Sequence, residues 1–171
     1  MKILVLNGSP HPKGNTKSLI DAFAKGARSA GHEVTECRVG TMNIKGCPGC
    51  EYCHTKGEGK CIQKDDMEKV YPELASADMI VLASPVHYFG FSGQLESTIA
   101  RFYATMKPAA TKYAMILSSM SPGVYAGIEA QYKSMMAFFG TQDLGIKEVV
   151  GEDNKSEAAL ADLEAFGASI Q

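Results

Sequence analysis

The sequence predicts an α/β protein: a five-stranded parallel sheet in the order 2-1-3-4-5, with helices on both faces. Three observations predict it. Short apolar runs alternate with helix-periodic segments along the 171 residues, the pattern of successive β-α units. The first run leads straight into a polar, glycine-bearing loop. The third and fourth runs end in polar loops of their own, so ligand loops gather at the carboxyl ends of strands 1, 3 and 4.

Each element has its own signal. Lys2 to Leu6 is almost continuously apolar, as a central parallel strand buried on both faces requires. Asn7 to Thr16 follows as a loop, with a helix starting at Asn15 or Thr16. Leu19, Phe23, Ala27 and Ala30 fall on one face of that helix, and Gly31 ends it. Glu33 to Val39 reads as the second strand. Asp65 and Asp66 cap a helix running through Leu74, and Met79 to Ala83 is the third strand. Leu95, Ile99, Phe102 and Met106 are spaced for one continuous helix. Tyr113 to Leu117 is the fourth strand, Ala126 to Phe139 a helix, and Ile146 to Val150 the fifth strand. Glu157 to Ile170 closes the chain as a helix with Leu160, Leu163 and Phe166 inward.

The length suits one domain, residues 1–171, and no repeat or linker divides it. Hydrophobic residues make up 45% and charged residues 21%, an ordinary globular balance. A net charge of −2 gives no reason to expect nucleic acid or an anionic membrane surface. The opening apolar run is only a strand long, and no stretch reaches membrane-spanning length, so a cytoplasmic location is the expectation. One segment, at about 40–65, breaks the β-α rhythm. It is far longer than a usual connection and holds four of the five cysteines.

The loop after the first strand points to a phosphate. Backbone N–H groups at a helix N-terminus, joined by neighbouring hydroxyls, form an anion site. A Walker A loop is excluded, because five residues separate Gly8 from Gly14 and Asn15 stands where its lysine belongs. A dinucleotide fingerprint is excluded by the missing third glycine. What remains suits a terminal monophosphate. The plainer alternative is an ordinary turn in which Asn15 or Thr16 is an N-cap.

The loop after the third strand, Ser84-Pro85-Val86-His87-Tyr88-Phe89-Gly90-Phe91-Ser92-Gly93, offers an aromatic edge for a flat heterocycle. Core or interface packing is the alternative for its aromatics. Ser118-Ser119-Met120-Ser121-Pro122-Gly123 is a third polar loop on the same side.

Taken together, Gly8-Ser9-Pro10, Gly14-Asn15-Thr16, Asp65-Asp66-Met67, Ser84-Pro85-Val86, Ser92-Gly93-Gln94-Leu95 and Arg101 resemble the NADPH-dependent FMN reductase group of flavodoxin-like proteins. The resemblance covers essentially the whole chain and implies a flavodoxin-like three-layer sandwich. It also implies FMN, with the phosphate at Ser9, His11, Gly14, Asn15 and Thr16. The isoalloxazine would lie against Pro85, Val86, His87, Tyr88, Phe89 and Gly90, and Ser118 and Ser119 would complete the site. The chain departs from the group at His11, where arginine or lysine is usual, at Ala100 before Arg101, and at Glu96.

Cys47, Cys50, Cys53 and Cys61 form C-x2-C-x2-C-x7-C. The first three have the spacing by which bacterial ferredoxins hold three corners of a [4Fe–4S] cluster. A flexible stretch containing Gly57 and Gly59 can return the fourth. The motif resembles that of the iron–sulfur flavoproteins, a branch of the same group. A cluster-free loop, a tetrahedral zinc site and a disulfide, disfavoured in a reducing compartment, are the alternatives. Cys37 reads as a buried, inert thiol and His54 as a solvated loop residue.

The reading that follows is an FMN-dependent oxidoreductase of the iron–sulfur flavoprotein kind. It would link NAD(P)H or a ferredoxin-like carrier to an acceptor, with the chemistry supplied by the cofactors. No triad or paired-carboxylate site is present to assign as catalytic. A cluster-free NAD(P)H-dependent FMN or quinone reductase is the first alternative and a flavodoxin-type carrier the second. The resemblance also implies a homo-oligomer, dimer or tetramer.

Overall fold

The computed structural model describes residues 1–171. Its sheet has five parallel strands: β1 (Lys2–Asn7), β2 (Glu33–Cys37), β3 (Met79–Pro85), β4 (Lys112–Ser119) and β5 (Gln142–Val150). Their order is β2-β1-β3-β4-β5, as the alternation predicts. The helices are α1 (Asn15–Ser29), α2 (Tyr52–Thr55), α3 (Met67–Ser76), α4 (Gly93–Ala100), α5 (Ala126–Phe139) and α6 (Glu157–Ala168).

Because successive strand residues point to opposite faces, the sheet separates two cores. Leu4, Leu6, Ile80, Leu82, Met115 and Leu117 join Val70, Leu74, Leu95, Ile128 and Tyr132, which come from α3, α4 and α5. Ile3, Val5, Met79, Val81, Ala114 and Ile116 join Leu19, Ile20, Phe23 and Leu163 from α1 and α6. The reversal of strand order lies between β1 and β3, and all three polar loops emerge at that end of the sheet.

Several boundaries differ from the sequence expectation, and α6 ends at Ala168, two residues before the expected Ile170. β2 ends at Cys37, and Val39, though buried, begins a 3₁₀ turn over Val39–Thr41. β5 starts at Gln142. Its pairing with β4 shifts between Tyr113 and Met115, and Gly145 has φ +134°, so an irregular, polar edge hides the strand's first half. Ala30 is exposed, one residue past the end of α1. The helix expected from Leu95 to Met106 stops at Ala100 and tightens into a 3₁₀ turn over Arg101–Thr105, leaving Met106 exposed. Arg101, the first residue of that turn, is buried and tied to Lys45 and Asp65.

Candidate functional site

The loop between β1 and α1 is shaped by its own side chains. Asn7, fully buried, accepts the Ser9 N–H at Oδ1 (2.9 Å) and donates from Nδ2 to Glu36 on β2 (2.8 Å). This turn sets Ser9 facing the start of α1. Ser92, the N-cap of α4, donates from Oγ to the Gly8 carbonyl (2.7 Å), accepts the Leu95 N–H and donates its own N–H to Ser84 (3.0 Å). The loops after β1 and β3 are thereby locked to each other. Behind them, Gly40 lies against the Ser9 backbone so closely that a Cβ there would come within 2.2 Å of the Ser9 carbonyl oxygen.

α1 begins at Asn15 with Gly14 as its N-cap residue, and neither Asn15 nor Thr16 provides a side-chain cap. Its first N–H groups have no intrahelical acceptor, and its first turn carries no acidic residue. Thr16 is buried instead for a different contact: its hydroxyl lies 2.7 Å from that of Ser118. Ser119 is held by Tyr125 (Oγ to Oη 2.7 Å), which donates to Val149, while Asn154 donates to the Ser119 carbonyl.

Ser9, His11, Gly14, Asn15, Thr16, Pro85, Val86, His87, Ser118 and Ser119 all line one open cleft of about 220 Å³, together with Met120. A Cβ at Gly14 would stand 3.0 Å from His11 Cβ and 3.6 Å from Ser9 Oγ, inside the cradle. Uncapped N–H groups, convergent hydroxyls and no opposing carboxylate fit a phosphate dianion. The remaining residues of the aromatic loop lie outside the cleft lining. His87 and Gly90 exchange backbone hydrogen bonds of 3.0 and 3.1 Å around Tyr88 and Phe89, both at positive φ (53° and 67°). That closes a two-residue hairpin whose aromatic tips are 99% and 61% exposed.

The cysteine segment is a loop with laced ends. Asp66 Oδ2 accepts the Asn43 N–H (2.8 Å), the Asp66 N–H donates to the Asn43 carbonyl, and Gln63 donates to the Gly46 carbonyl. Arg101 closes it: Nη1 donates to the Lys45 carbonyl (2.9 Å) and to Asp65 Oδ2 (2.7 Å), in an ion pair whose side chains are 1% and 2% exposed. Burial pushes the Asp65 carboxyl up, but hydrogen bonds from Arg101, Lys45 and Met67 outweigh it and hold it below the usual carboxylate range. On the far side, His54 Nε2 lies 2.8 Å from the Tyr103 carbonyl oxygen, and the Tyr103 hydroxyl reaches both Glu51 oxygens at 3.0 Å.

This folding brings Cys47, Cys50, Cys53 and Cys61 to the lining of one small pocket, which Arg101, Tyr103 and Ala104 share. All four are free thiols. They do not form a compact group of the kind that grips a single metal ion, and the space among them is only about 10 Å³, roughly one water. Cys47 and Cys50 are exposed, Cys53 is buried and Cys61 lies between. Four thiols are the donor type that an iron–sulfur cluster takes, and the pocket among them would have to open to admit one. Cys37 stands apart: burial, with Glu73 and Glu36 nearby, pushes its thiol up to about 11.

Three contributors escaped the sequence reading. Met120 follows the two lining serines and had a positional signal. Asn7 and Ser92 act through hydrogen bonds to other loops, for which local sequence carries no signal.

The model of the NADPH-dependent FMN reductase family matches residues 1–154. An iron-sulfur flavoprotein of Archaeoglobus fulgidus is 36% identical over 101 residues, covering 59% of this chain and 45% of that one. One from Methanosarcina thermophila is 29% identical over 101 residues, covering 59% and 52%. The chain spans about half the length of the curated iron-sulfur flavoproteins it matches. Among solved structures, an NAD(P)H:quinone oxidoreductase from Methanothermobacter marburgensis superposes with a TM-score of 0.74 at 13% identity, over 98% of this chain and 92% of that one. An FMN-dependent NADH-azoreductase of Bacillus anthracis in complex with FMN gives 0.69 at 14% identity, over 98% of both chains. These similarities establish the shared fold. With the family match over most of its length, this chain belongs to the NADPH-dependent FMN reductase family.

Proposed function

We propose that the chain is an FMN-dependent oxidoreductase that also carries a [4Fe–4S] cluster. It would move electrons between a reductant, NAD(P)H or a ferredoxin-like carrier, and an acceptor. The observation that carries this reading is the pairing of a hydroxyl-lined phosphate cleft with a separate pocket lined by four thiols. Bound FMN supplies both two-electron and one-electron exchange. The chain's own residues position it. The N-terminus of α1, with Ser9, Thr16 and Ser118, holds the dianion, and Pro85, Val86 and His87 form the wall for the ring. Cys47, Cys50, Cys53 and Cys61 would ligate the cluster.

A homo-oligomer belongs to the same proposal. The exposed tips Tyr88 and Phe89, on a two-residue hairpin, are apolar surface suited to a neighbouring subunit. No helix is long and apolar enough to cross a membrane.

An anaerobic absorbance spectrum with iron and sulfide analysis tests the reading. Flavin bands with stoichiometric iron and sulfide support it. Flavin bands without iron leave the second reading, a cluster-free reductase, which the family's own description favours. A colourless protein that refuses added FMN overturns both. Steady-state NAD(P)H oxidation then separates an enzyme from a flavodoxin-type carrier, which should show none.

A further inference from the structure

The phosphate cleft is lined without a fixed charge. Ser9, Asn15, Thr16, Ser118 and Ser119 supply its hydroxyls and amide, and no lysine, arginine, aspartate or glutamate joins them. Three loops meet there, residues 8–16, 84–93 and 118–123, and Lys13 is their one fixed charge. It lies outside the lining. Lys17, in the first turn of α1, is engaged by Asp21 and, at 3.6 Å, by Glu36. The N-terminus of α1 contributes about half a positive charge, against roughly two negative charges on a phosphomonoester. The balance is left to the titratable side chains of the lining, His11 and His87.

The four histidines of the chain divide between structure and cleft. His32 Nε2 lies 2.9 Å from the Ile170 carbonyl oxygen, and His54 Nε2 lies 2.8 Å from that of Tyr103. Neither cleft histidine engages its ring in this way. The His11 N–H donates to Ser9 Oγ (3.2 Å), and the His87 N–H donates to the Gly90 carbonyl (3.0 Å). Both are held by the backbone. His11 is exposed, and its Cβ stands 3.0 Å from where a Cβ on Gly14, the N-cap residue of α1, would be. Its ring therefore starts beside the uncapped N–H groups. His87 instead follows Pro85 and Val86 in the wall for the flavin ring.

We propose that His11, as an imidazolium, is the cation of the phosphate site, so that pH sets how tightly the chain holds FMN. The inference rests on the FMN reading above. Histidine is the side chain that changes charge near neutrality, and a dianion beside it favours the charged ring. The charged ring gives the phosphate a charge-assisted hydrogen bond. That contact is present at the lower pH and is lost as pH rises and the ring gives up its proton. Lysines and carboxylates keep their charge over the same range, so Lys13, Lys17, Asp21 and Glu36 form a constant background. Riboflavin, the same ring without the phosphate, should not sense the change.

The test titrates the full chain with FMN, read by quenching of flavin fluorescence, from about pH 7 to about pH 9. A phosphomonoester stays a dianion throughout, its second pKa being about 6. Wild type is compared with His11→Gln, His11→Arg and His87→Gln. Wild-type affinity should fall about tenfold across the range. His11→Gln should already be weak at the lower pH and stay level. His11→Arg should stay tight and level, because its charge is fixed. His87→Gln should keep the wild-type slope, whatever its effect on the affinity itself. A level wild type, or a His11→Gln protein with the wild-type slope, overturns the role of His11 and leaves the FMN reading standing. Riboflavin affinity that falls in step with FMN affinity overturns that role too, since the phosphate is then not what senses the proton. A wild type that binds no FMN at any pH overturns the FMN reading and this inference together.

Discussion

The phosphate cleft and the cysteine pocket are built on opposite plans. The cleft is made at the carboxyl ends of sheet strands, and its shaping side chains are interlocked: Asn7 with Glu36 and the Ser9 N–H, Ser92 with Gly8, Thr16 with Ser118. Its shape is set by hydrogen bonds within the chain. The cysteine pocket sits on a loop with one short helix, two of its thiols are exposed, and its shape depends on the ends of the loop being tied by Asp65 and Arg101. A cleft of the first kind should bind without reorganisation. A pocket of the second kind should be finished by what it holds.

The largest effect that would break this contrast is at the clasp. Asp65→Ala leaves a buried guanidinium unpaired and should cost about 3 kcal/mol, read as a lower denaturation midpoint. Protease cleavage should then appear within residues 43–64 while the sheet stays protected. Acid should do the same more gently. The folded Asp65 carboxyl titrates below its unfolded value, so its contribution is fully present above about pH 4 and is lost as pH falls through the folded value. If loop and sheet open together, the two regions are not the separate units described here.

Next in size is Gly40→Ala. Its methyl would strike the Ser9 and Gly8 backbone, which cannot rotate away as a side chain could, so a loss of about 2 kcal/mol is expected. FMN affinity should fall with it while iron uptake persists. Thr16→Val should act more narrowly. Removing a hydroxyl from a charged ligand weakens FMN by about tenfold, measured by quenching of flavin fluorescence, with little change in unfolding midpoint. The smallest effect sharpens the contrast among the cysteines. At neutral pH an alkylating reagent should label exposed Cys47 and Cys50 quickly in iron-free protein and leave Cys37 untouched, because its thiol is buried and pushed up to about 11. Mass spectrometry of the labelled peptides reads the order.

The contrast also explains what the sequence disclosed. The sheet was legible in full order, because Lys2–Leu6, Met79–Ala83 and Tyr113–Leu117 are buried on both faces and so are continuously apolar. The half-exposed edge was less legible: Gln142 to Gly145 carries no strand pattern, and the register shift beside it conceals the rest. Ten of the residues expected at the cofactor site share one cleft, since strand order alone brings three loops together. Tyr88, Phe89 and Gly90 stand away from that lining because a tight hairpin turns them outward. The gathering of the four cysteines in one pocket was legible from their spacing. The clasp was not, because Arg101 lies 36 residues from Asp65 and 56 from Lys45.

Under the proposed function, two regions hold two groups independently. The most direct test is the FMN and iron content of Cys50→Ala beside wild type, both purified anaerobically. The wild type is expected to carry one FMN and a cluster, and Cys50→Ala to keep the FMN and lose the iron. Equal iron in the two proteins, or loss of FMN along with it, would contradict the account.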